Sequence, residues 1–440
     1  MRIGIIGAGL TGLTAAFDLV RRGHQVTLWE KENEVGGEAA AFDLEGNHLE
    51  KFYHHIFMSD KALLELLAEL GLASSLQWLP SHVGYYYGGK IHNFTTPIDL
   101  LRFTPLGIID RFRLGLVSLY LQRYTQWQNF EGITAQEWLL KRGGQRSYEV
   151  IWGPLLRGKF GDSASQISMA WLWGRIRMRL GSRRQGIGQE RLGYLKGSFG
   201  RLVEALAQRV RNGGGAIHLG TPIKRLAIQD GRVAGAISAT GEMFPQDAII
   251  ATIPSPPFLA MAPELPAEYA VKAGQTRYLA ALCLVITLDR QFTPVYWLNI
   301  GDLSFPFVAT IEQTNFVNPS EYGGKRILYV SNYLPASSPL FKLTAGELLK
   351  HYLPFLQKIT PQFDTNWVGE YHVFKEEYAQ PVVPINYSGQ IPAHKTPIKG
   401  LYLANTTQIY PEDRGMNQAV QLGFKVAGLV NQAIEKAGKV

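Results

Sequence analysis

Gly7, Gly9 and Gly12 stand in the spacing G-x-G-x-x-G, and Glu30 follows Gly12 by eighteen residues. These residue types can hold a diphosphate and a ribose. Gly7 permits a tight turn, Gly9 lets the backbone approach a pyrophosphate with no Cβ in the way, and Gly12 lets a helix sit close to a strand. Glu30 can accept hydrogen bonds from a ribose diol. The spacing alone also occurs in ordinary turns. Here an apolar strand, residues 2–6, precedes it, and helical spacing of Leu, Ala and Phe over residues 10–22 follows. A second strand, residues 25–29, ends at the acid. The helix N-terminus contributes unpaired N–H groups and the positive end of a dipole. Together these features predict an adenine dinucleotide site.

Fewer residues point to catalysis. His54 and His55 lie in HLEKFYHHIF, and Arg157 and Lys159 lie in LLRGKFGD, where they are candidates for electrostatic work beside a ring or substrate. Arg414 can face a phosphate or pair with Glu412 or Asp413 in its own loop. No triad or carboxylate pair has suitable spacing, and the scattered histidines lack metal-ligand spacing, so no metal site is expected. Hydride transfer to a bound redox cofactor needs little acid–base machinery.

The elements that must position these groups are readable in outline. At 440 residues the chain is long for one core and suggests roughly two to three domains. Its 46% hydrophobic and 18% charged content fits a globular protein. Cys283 is the only cysteine, which excludes an intrachain disulfide and favours a reducing compartment, so a cytoplasmic location is expected. The apolar start is itself the first strand, so no signal peptide is expected, and no apolar run is long enough for a spanning helix. Between Lys141 and Arg225 there are 17 Lys and Arg against 4 Asp and Glu. Such a stretch suits an anionic membrane surface, a phosphorylated substrate or a solvated face; nucleic acid is disfavoured because no binding module accompanies it.

Along the chain, residues 59–72 read as a helix burying Leu63, Leu64, Leu66, Leu67 and Leu70. Residues 85–90 read as a hairpin, and residues 99–124 as an amphipathic, arginine-flanked helical region that could cap a core or lie on a membrane. Residues 151–191, rich in Trp and Arg, suit a substrate cleft or cation–π packing. Strands are expected at 216–219, 223–229, 232–239 and 248–252. Residues 278–335 suggest a second, largely antiparallel sheet, and helices are expected over 199–211, over 345–359 and at the end of the sequence.

Three separated segments resemble one family. They are the opening unit with its Gly36-Gly37 doublet, the stretch from GSFGRLVEALAQRV to DAIIATIP, and GLYLAN…YPEDRGMNQAVQLGFKVA. They are similar to the superfamily of FAD-dependent amine oxidases, protoporphyrinogen oxidases and phytoene desaturases. The resemblance implies an α/β plus α+β fold. A discontinuous, Rossmann-like FAD-binding domain of the GR2 type (residues 1–75, 197–260 and 395–440) would carry an inserted substrate domain of antiparallel sheet with a helical cap (76–196 and 261–394).

It also implies roles. Gly7, Gly9, Leu10, Thr11 and Gly12 would meet the pyrophosphate, and Glu30 and Lys31 the adenosine side. Gly36 and Gly37 would let the chain pass beside the ribityl or phosphate, with Glu38 also at the cofactor, and Ile223 would meet adenine through its backbone, with Thr252 and Pro254 in the turn that follows. Asn405, Arg414, Met416, Asn417 and Ala419 would bring a helix N-terminus to the flavin. Two positions depart from the family: Glu38 stands where Arg is usual, and Asn405 where an acid is usual. HLEKFYHHIF and IYPEDRGMNQAV are also similar to UDP-galactopyranose mutases, which would set His55 over the flavin.

The expected function is an FAD-dependent oxidoreductase that moves a hydride from an apolar or polycyclic small molecule to flavin N5. His55, Lys159 and Arg157 are its candidate catalytic residues. The rival is a flavin-dependent sugar-nucleotide mutase with no net redox change. Peripheral contact with an anionic membrane is a further expected partnership.

Overall fold

The computed structural model describes residues 1–44, 46–181 and 190–437. Arg183 and Arg184 of the basic stretch lie outside them. Five strands form a parallel sheet in the order Leu401–Leu403, Ala248–Ala251, Arg2–Ile6, Gln25–Trp29, Ala216–His218. Strands covered on both faces read as continuous apolar runs, and residues 3–6 and 248–251 are buried throughout. Helix α1 (Leu10–Arg21) covers this sheet and packs against the last helix of the chain.

A second sheet has seven strands in the order Val368–Pro381, Tyr278–Leu288, Arg326–Leu334, Ala309–Glu312, Trp297–Ile300, Val83–Tyr87, Lys90–Asn93. Its pairings are antiparallel except that of Trp297–Ile300 with Val83–Tyr87. The near-unbroken apolar run of Tyr278–Leu288 suits a central strand between two long neighbours, and all but its first residue are buried. The helix Ala345–Ile359 packs along this sheet, started by a capping box between Thr344 and Glu347. A small antiparallel sheet (Ile223–Gln229, Arg232–Ser238, Met243–Pro245) turns at Asp230 and Gly231, both at positive φ.

A helical layer packs beside the seven-stranded sheet. It contains Pro97–Leu101, α2 (Ile108–Arg123), α3 (Gly153–Phe160) and α4 (Met169–Gly181). The continuous helical stretch expected over residues 99–124 is interrupted around Pro105, which disfavours helix at the residue before it. Arg111 bridges the break, donating to the carbonyls of Leu106 (2.8 Å) and Leu101 (2.7 Å). The helix expected over 59–72 is shorter, Lys61–Glu69, and Leu64 is only half-buried. Helix α5 (Met416–Ala437) closes the fold, and a Cβ at its Gly423 would fall 2.7 Å from the carbonyl oxygen of Thr11 on α1.

Candidate functional site

The predicted cradle forms where strand Arg2–Ile6 meets α1. Gly7 turns the chain at φ +102°, and its N–H donates to the carbonyl of Trp29 at 2.8 Å. A Cβ at Gly12 would lie 2.0 Å from the Gly7 carbonyl oxygen, so only glycine permits this contact. At Gly9 a Cβ would meet nothing within 4 Å, which leaves open space beside the backbone. The doublet closes over the same point: Gly36 N–H donates to Ala8 at 2.8 Å, and the Cβ position of Gly37 lies 3.3 Å from Gly9 Cα. Helix α1 has no side-chain cap and no acid in its first turn. An open, uncapped helix N-terminus beside bare backbone fits a diphosphate. Leu10 is buried in that turn and Thr11 half-buried.

Glu30 is buried at the end of its strand. Its carboxylate accepts from the N–H of Ala8 (2.7 Å) and of Glu32 (3.1 Å). Backbone bonds from Glu30 N–H to His218 and from Thr221 N–H to Glu30 tie on the segment that leads to buried Ile223. Lys31 is exposed beside Glu32. The Thr252 hydroxyl lies 3.0 Å from the carbonyls of both Ile6 and Gly7, and Pro254 precedes the helix Ser255–Met261.

The C-terminal segment closes the opposite side. Asn405 uses its whole amide within the protein, accepting from Thr407 N–H and hydroxyl and donating to the Ile253 carbonyl and the Ser255 hydroxyl. Its side chain therefore braces the 252–255 turn. Met416 begins α5, Asn417 accepts from Leu63 N–H at 3.1 Å, and half-buried Ala419 follows.

Arg414 takes neither partner expected within its loop. It pairs with Glu38 after the glycine doublet and donates to Gln380 (3.2 Å) and to the Tyr333 hydroxyl (3.1 Å). Arg414 thus brings a cation beside the position after the doublet, with Glu38 as its counterion.

Lys159 lies at the end of α3, its side chain largely buried. It donates to Asp413 at 2.5 Å and stands over the rings of Trp171 (5.5 Å) and Tyr333 (5.7 Å). Asp413 also pairs with Arg175 and accepts from the Trp171 indole at 3.3 Å. Burial alone would raise the Asp413 carboxyl, but Lys159, Arg175 and Arg414 outweigh it and bring it down to about 2. For Lys159 burial wins over Asp413, with Arg175 and Arg414 adding to the effect, and carries it down to about 7. A lysine so placed exchanges a proton near neutral pH. Arg157, two residues earlier on α3, is exposed, and the structure does not bring it into this cluster.

His55 stands against an aromatic wall. Its Nδ1 lies 3.3 Å from the Tyr296 hydroxyl, and its ring meets Phe57, Tyr296 and Trp297 edge to face. Tyr53 extends the wall onto Trp297 and Tyr329. Burial depresses His55 to about 3, with Arg179, His54 and Arg175 adding to it, so the imidazole is neutral at ordinary pH. His54 is depressed to about 4, chiefly by burial, and its Nδ1 donates to the Phe52 carbonyl at 2.6 Å. Arg175 acts on both His55 and Lys159, which places the two candidates in one electrostatic neighbourhood.

Sequence reasoning missed Asp413 as the hub and Tyr296, Trp297 and Tyr333 as walls. Arg175 and Trp171 fall in the Trp/Arg-rich stretch singled out for a cleft, but nothing local pairs them with a residue 238 or 242 positions away. No group of His, Cys, Asp and Glu among the described residues could hold a metal ion.

Comparison with known proteins adds to this geometry. The family model for flavin containing amine oxidoreductases matches residues 10–431. A zeta-carotene desaturase of Solanum lycopersicum is 29% identical over 179 residues, which cover 35% of this chain and 30% of that protein. The chain thus spans under a third of that relative. A 15-cis-phytoene desaturase of Glycine max is 23% identical over 437 residues, covering 92% of this chain and 75% of that one. Among solved structures, a putative protoporphyrinogen oxidase from Exiguobacterium sp. 255-15 superposes with a TM-score of 0.79 at 19% identity, covering 98% and 99% of the two chains. Reduced UDP-galactopyranose mutase superposes with a TM-score of 0.75 at 17% identity, covering 97% and 96%. The last two likenesses concern the fold.

Proposed function

Because this chain belongs to the flavin-containing amine oxidoreductase family and is an FAD-dependent oxidoreductase, we propose that it oxidises or desaturates an apolar or polycyclic small molecule. The observation that carries this reading is the aromatic character of both candidate positions, with Tyr296 and Trp297 (and Tyr53 on Trp297) beside His55 and with Trp171 and Tyr333 beside Lys159. Such walls accept a flat or extended apolar molecule and offer few polar groups to orient a hydrophilic one. Relatives named for the desaturation of zeta-carotene and phytoene agree with that substrate class.

The residues present fit FAD. We assign the diphosphate to Gly7, Gly9, Gly12 and the start of α1, the ribose to Glu30, the adenine to the backbone at Ile223, and the flavin carbonyl end to the first turn of α5. FAD supplies a hydride-accepting N5 when bound. Lys159 holds or accepts a proton at Nζ, and Asp413 keeps it in place. In a desaturation one hydrogen leaves the substrate as hydride and its neighbour as a proton, and neutral Lys159 is the group suited to receive the latter. Neutral His55 shapes the wall without adding charge.

We also assign residues 1–75, 197–260 and 395–440 to a Rossmann-like FAD-binding domain and 76–196 and 261–394 to the substrate domain. Strand membership supports the division. All five parallel strands fall in the first set and all seven strands of the mixed sheet in the second. An apolar substrate resides in lipid, so peripheral contact with a membrane belongs to the same reading.

Anaerobic mixing of FAD-loaded protein with an apolar polyene or a tetrapyrrole tests the proposal. Bleaching of the flavin band supports it. Turnover of a sugar nucleotide only after chemical reduction, with the flavin returned unchanged, would instead establish the mutase.

A further inference from the structure

Among the described residues, eight of the fourteen most exposed large apolar side chains lie between residues 98 and 120. Helix α2 is the centre of this patch. One stripe, Leu114, Val117 and Leu121, is buried, and α2 packs against α4. The other faces outward and is apolar as well: Ile109 is 76% exposed, Leu116 67% and Phe112 59%. Leu101 on the preceding helix continues it. A helix apolar on its outward face leaves a surface that a monomer in water does not favour.

The charges around it have one dominant sign. Arg102, Arg113 and Arg123 are exposed at its edges. The two helices carry two carboxylates, Asp110 and Asp99, and Asp99 is held by the Thr96 cap. A two-fold pairing of this face with a second copy would bring together two surfaces of the same dominant positive sign. An anionic lipid surface instead accepts both parts, the apolar stripe below the headgroups and the guanidiniums among them.

We propose that the outward face of α2, with Leu101, docks the protein on an anionic bilayer. No helix among the described residues is long and apolar enough to cross a membrane, so contact is by this in-plane helix. Docking leaves the site one helical layer from the lipid, because α2 packs on α4, which carries Trp171 and Arg175. A cavity of about 460 Å³ lined by Gln122, Trp173, Arg177 and Asn417 joins the C-terminal end of α2 to the first turn of α5. The docking face rests on the proposed apolar substrate for its purpose, though not for its chemistry.

Flotation of the FAD-loaded full-length protein with vesicles tests it. Binding to phosphatidylcholine–phosphatidylglycerol vesicles is expected, weaker to phosphatidylcholine alone and weaker in high salt. Ile109→Ser/Phe112→Ser/Leu116→Ser should reduce it about tenfold or more, and Arg113→Glu/Arg123→Glu should reduce it in part. Val271→Ser, an exposed apolar residue elsewhere, should not. The flavin spectrum reports folding. Should the triple variant fail to fold, Leu116→Cys carrying an environment-sensitive fluorophore should brighten with anionic vesicles. Unchanged binding by the triple variant, no brightening, or a dimer that it turns into a monomer overturns the proposal. Vesicle binding without flavin bleaching by any apolar substrate overturns only the substrate reading.

Discussion

The ammonium of Lys159 donates to the carboxylate of Asp413 at 2.5 Å, joining α3 to the loop that leads into α5. The pair sets a buried base and its counterion just ahead of the first turn of α5. Replacing Asp413 with Asn leaves Lys159 and Arg175 without their anion. We expect a loss of roughly 3 kcal/mol in urea unfolding. The limb of the pH–rate profile that reports Lys159 should move below its value of about 7, because Asp413 is the group that raises it.

Lys159 also gives stability a pH dependence of defined sign. Its folded value of about 7 lies below the ordinary 10.5, so the unfolded chain binds the proton more tightly. Its contribution to stability therefore rises as pH climbs from about 7 toward 10.5. Unfolding titrations across that range should show the rise in the native chain and lose it in Lys159→Met.

The two glycines of the cradle should separate folding from binding. Gly12→Ala places a methyl 2.0 Å from the Gly7 carbonyl oxygen, and should cost more than about 2 kcal/mol even without cofactor. Gly9→Ala meets open space, so apo stability should change by less than about 1 kcal/mol. FAD should nonetheless dissociate at least about tenfold more readily, since the methyl occupies the path of the diphosphate. Thermal melts of apoprotein and equilibrium dialysis of FAD read the two effects apart.

Glu30→Ala should weaken FAD retention more than His55→Ala, because the acid is assigned to the ribose and the imidazole to the substrate wall. Gel filtration followed by flavin absorbance measures this, and equal retention would contradict the assignments.

Arg414→Gln leaves Glu38 without its cation and should lower stability by roughly 1–3 kcal/mol. The double exchange Glu38→Arg/Arg414→Glu returns the cation to the family's position and should recover most of the loss. A double-mutant cycle on urea midpoints checks it.

Much of this fold was legible because its grammar is local. Strand Arg2–Ile6, the glycine turn and α1 occupy consecutive residues, and their apolar period and turn chemistry appear within a short window. Ile223–Gln229 and Arg232–Ser238 were readable for the same reason, with Asp230-Gly231 between them. The long central strand Tyr278–Leu288 announced itself by its unbroken apolar run. Groups brought together by topology were not legible. Asp413 looked like a loop acid, and its partners Lys159, Trp171 and Arg175 are fixed only when α3, α4 and the last loop converge. Glu38 and Arg414 each seemed a departure or an ambiguity alone, and make sense as a pair. The outward face of α2 was half legible: its arginine-flanked apolar composition was plain, but periodicity could not tell which of two apolar stripes would be covered.

The parallel sheet has a consequence for biogenesis. Its first strand lies between residues 25–29 and 248–251, and an edge is supplied by residues 401–403. Helix α5 then packs on α1. During vectorial synthesis the first βαβ unit must wait for residues 248–251 and 401–403 before this side of its sheet exists. Sheet closure is consequently a late, high-contact-order event. A ribosome-stalled intermediate that ends before residue 248 would offer the glycine cradle without the two strands on this side of the sheet.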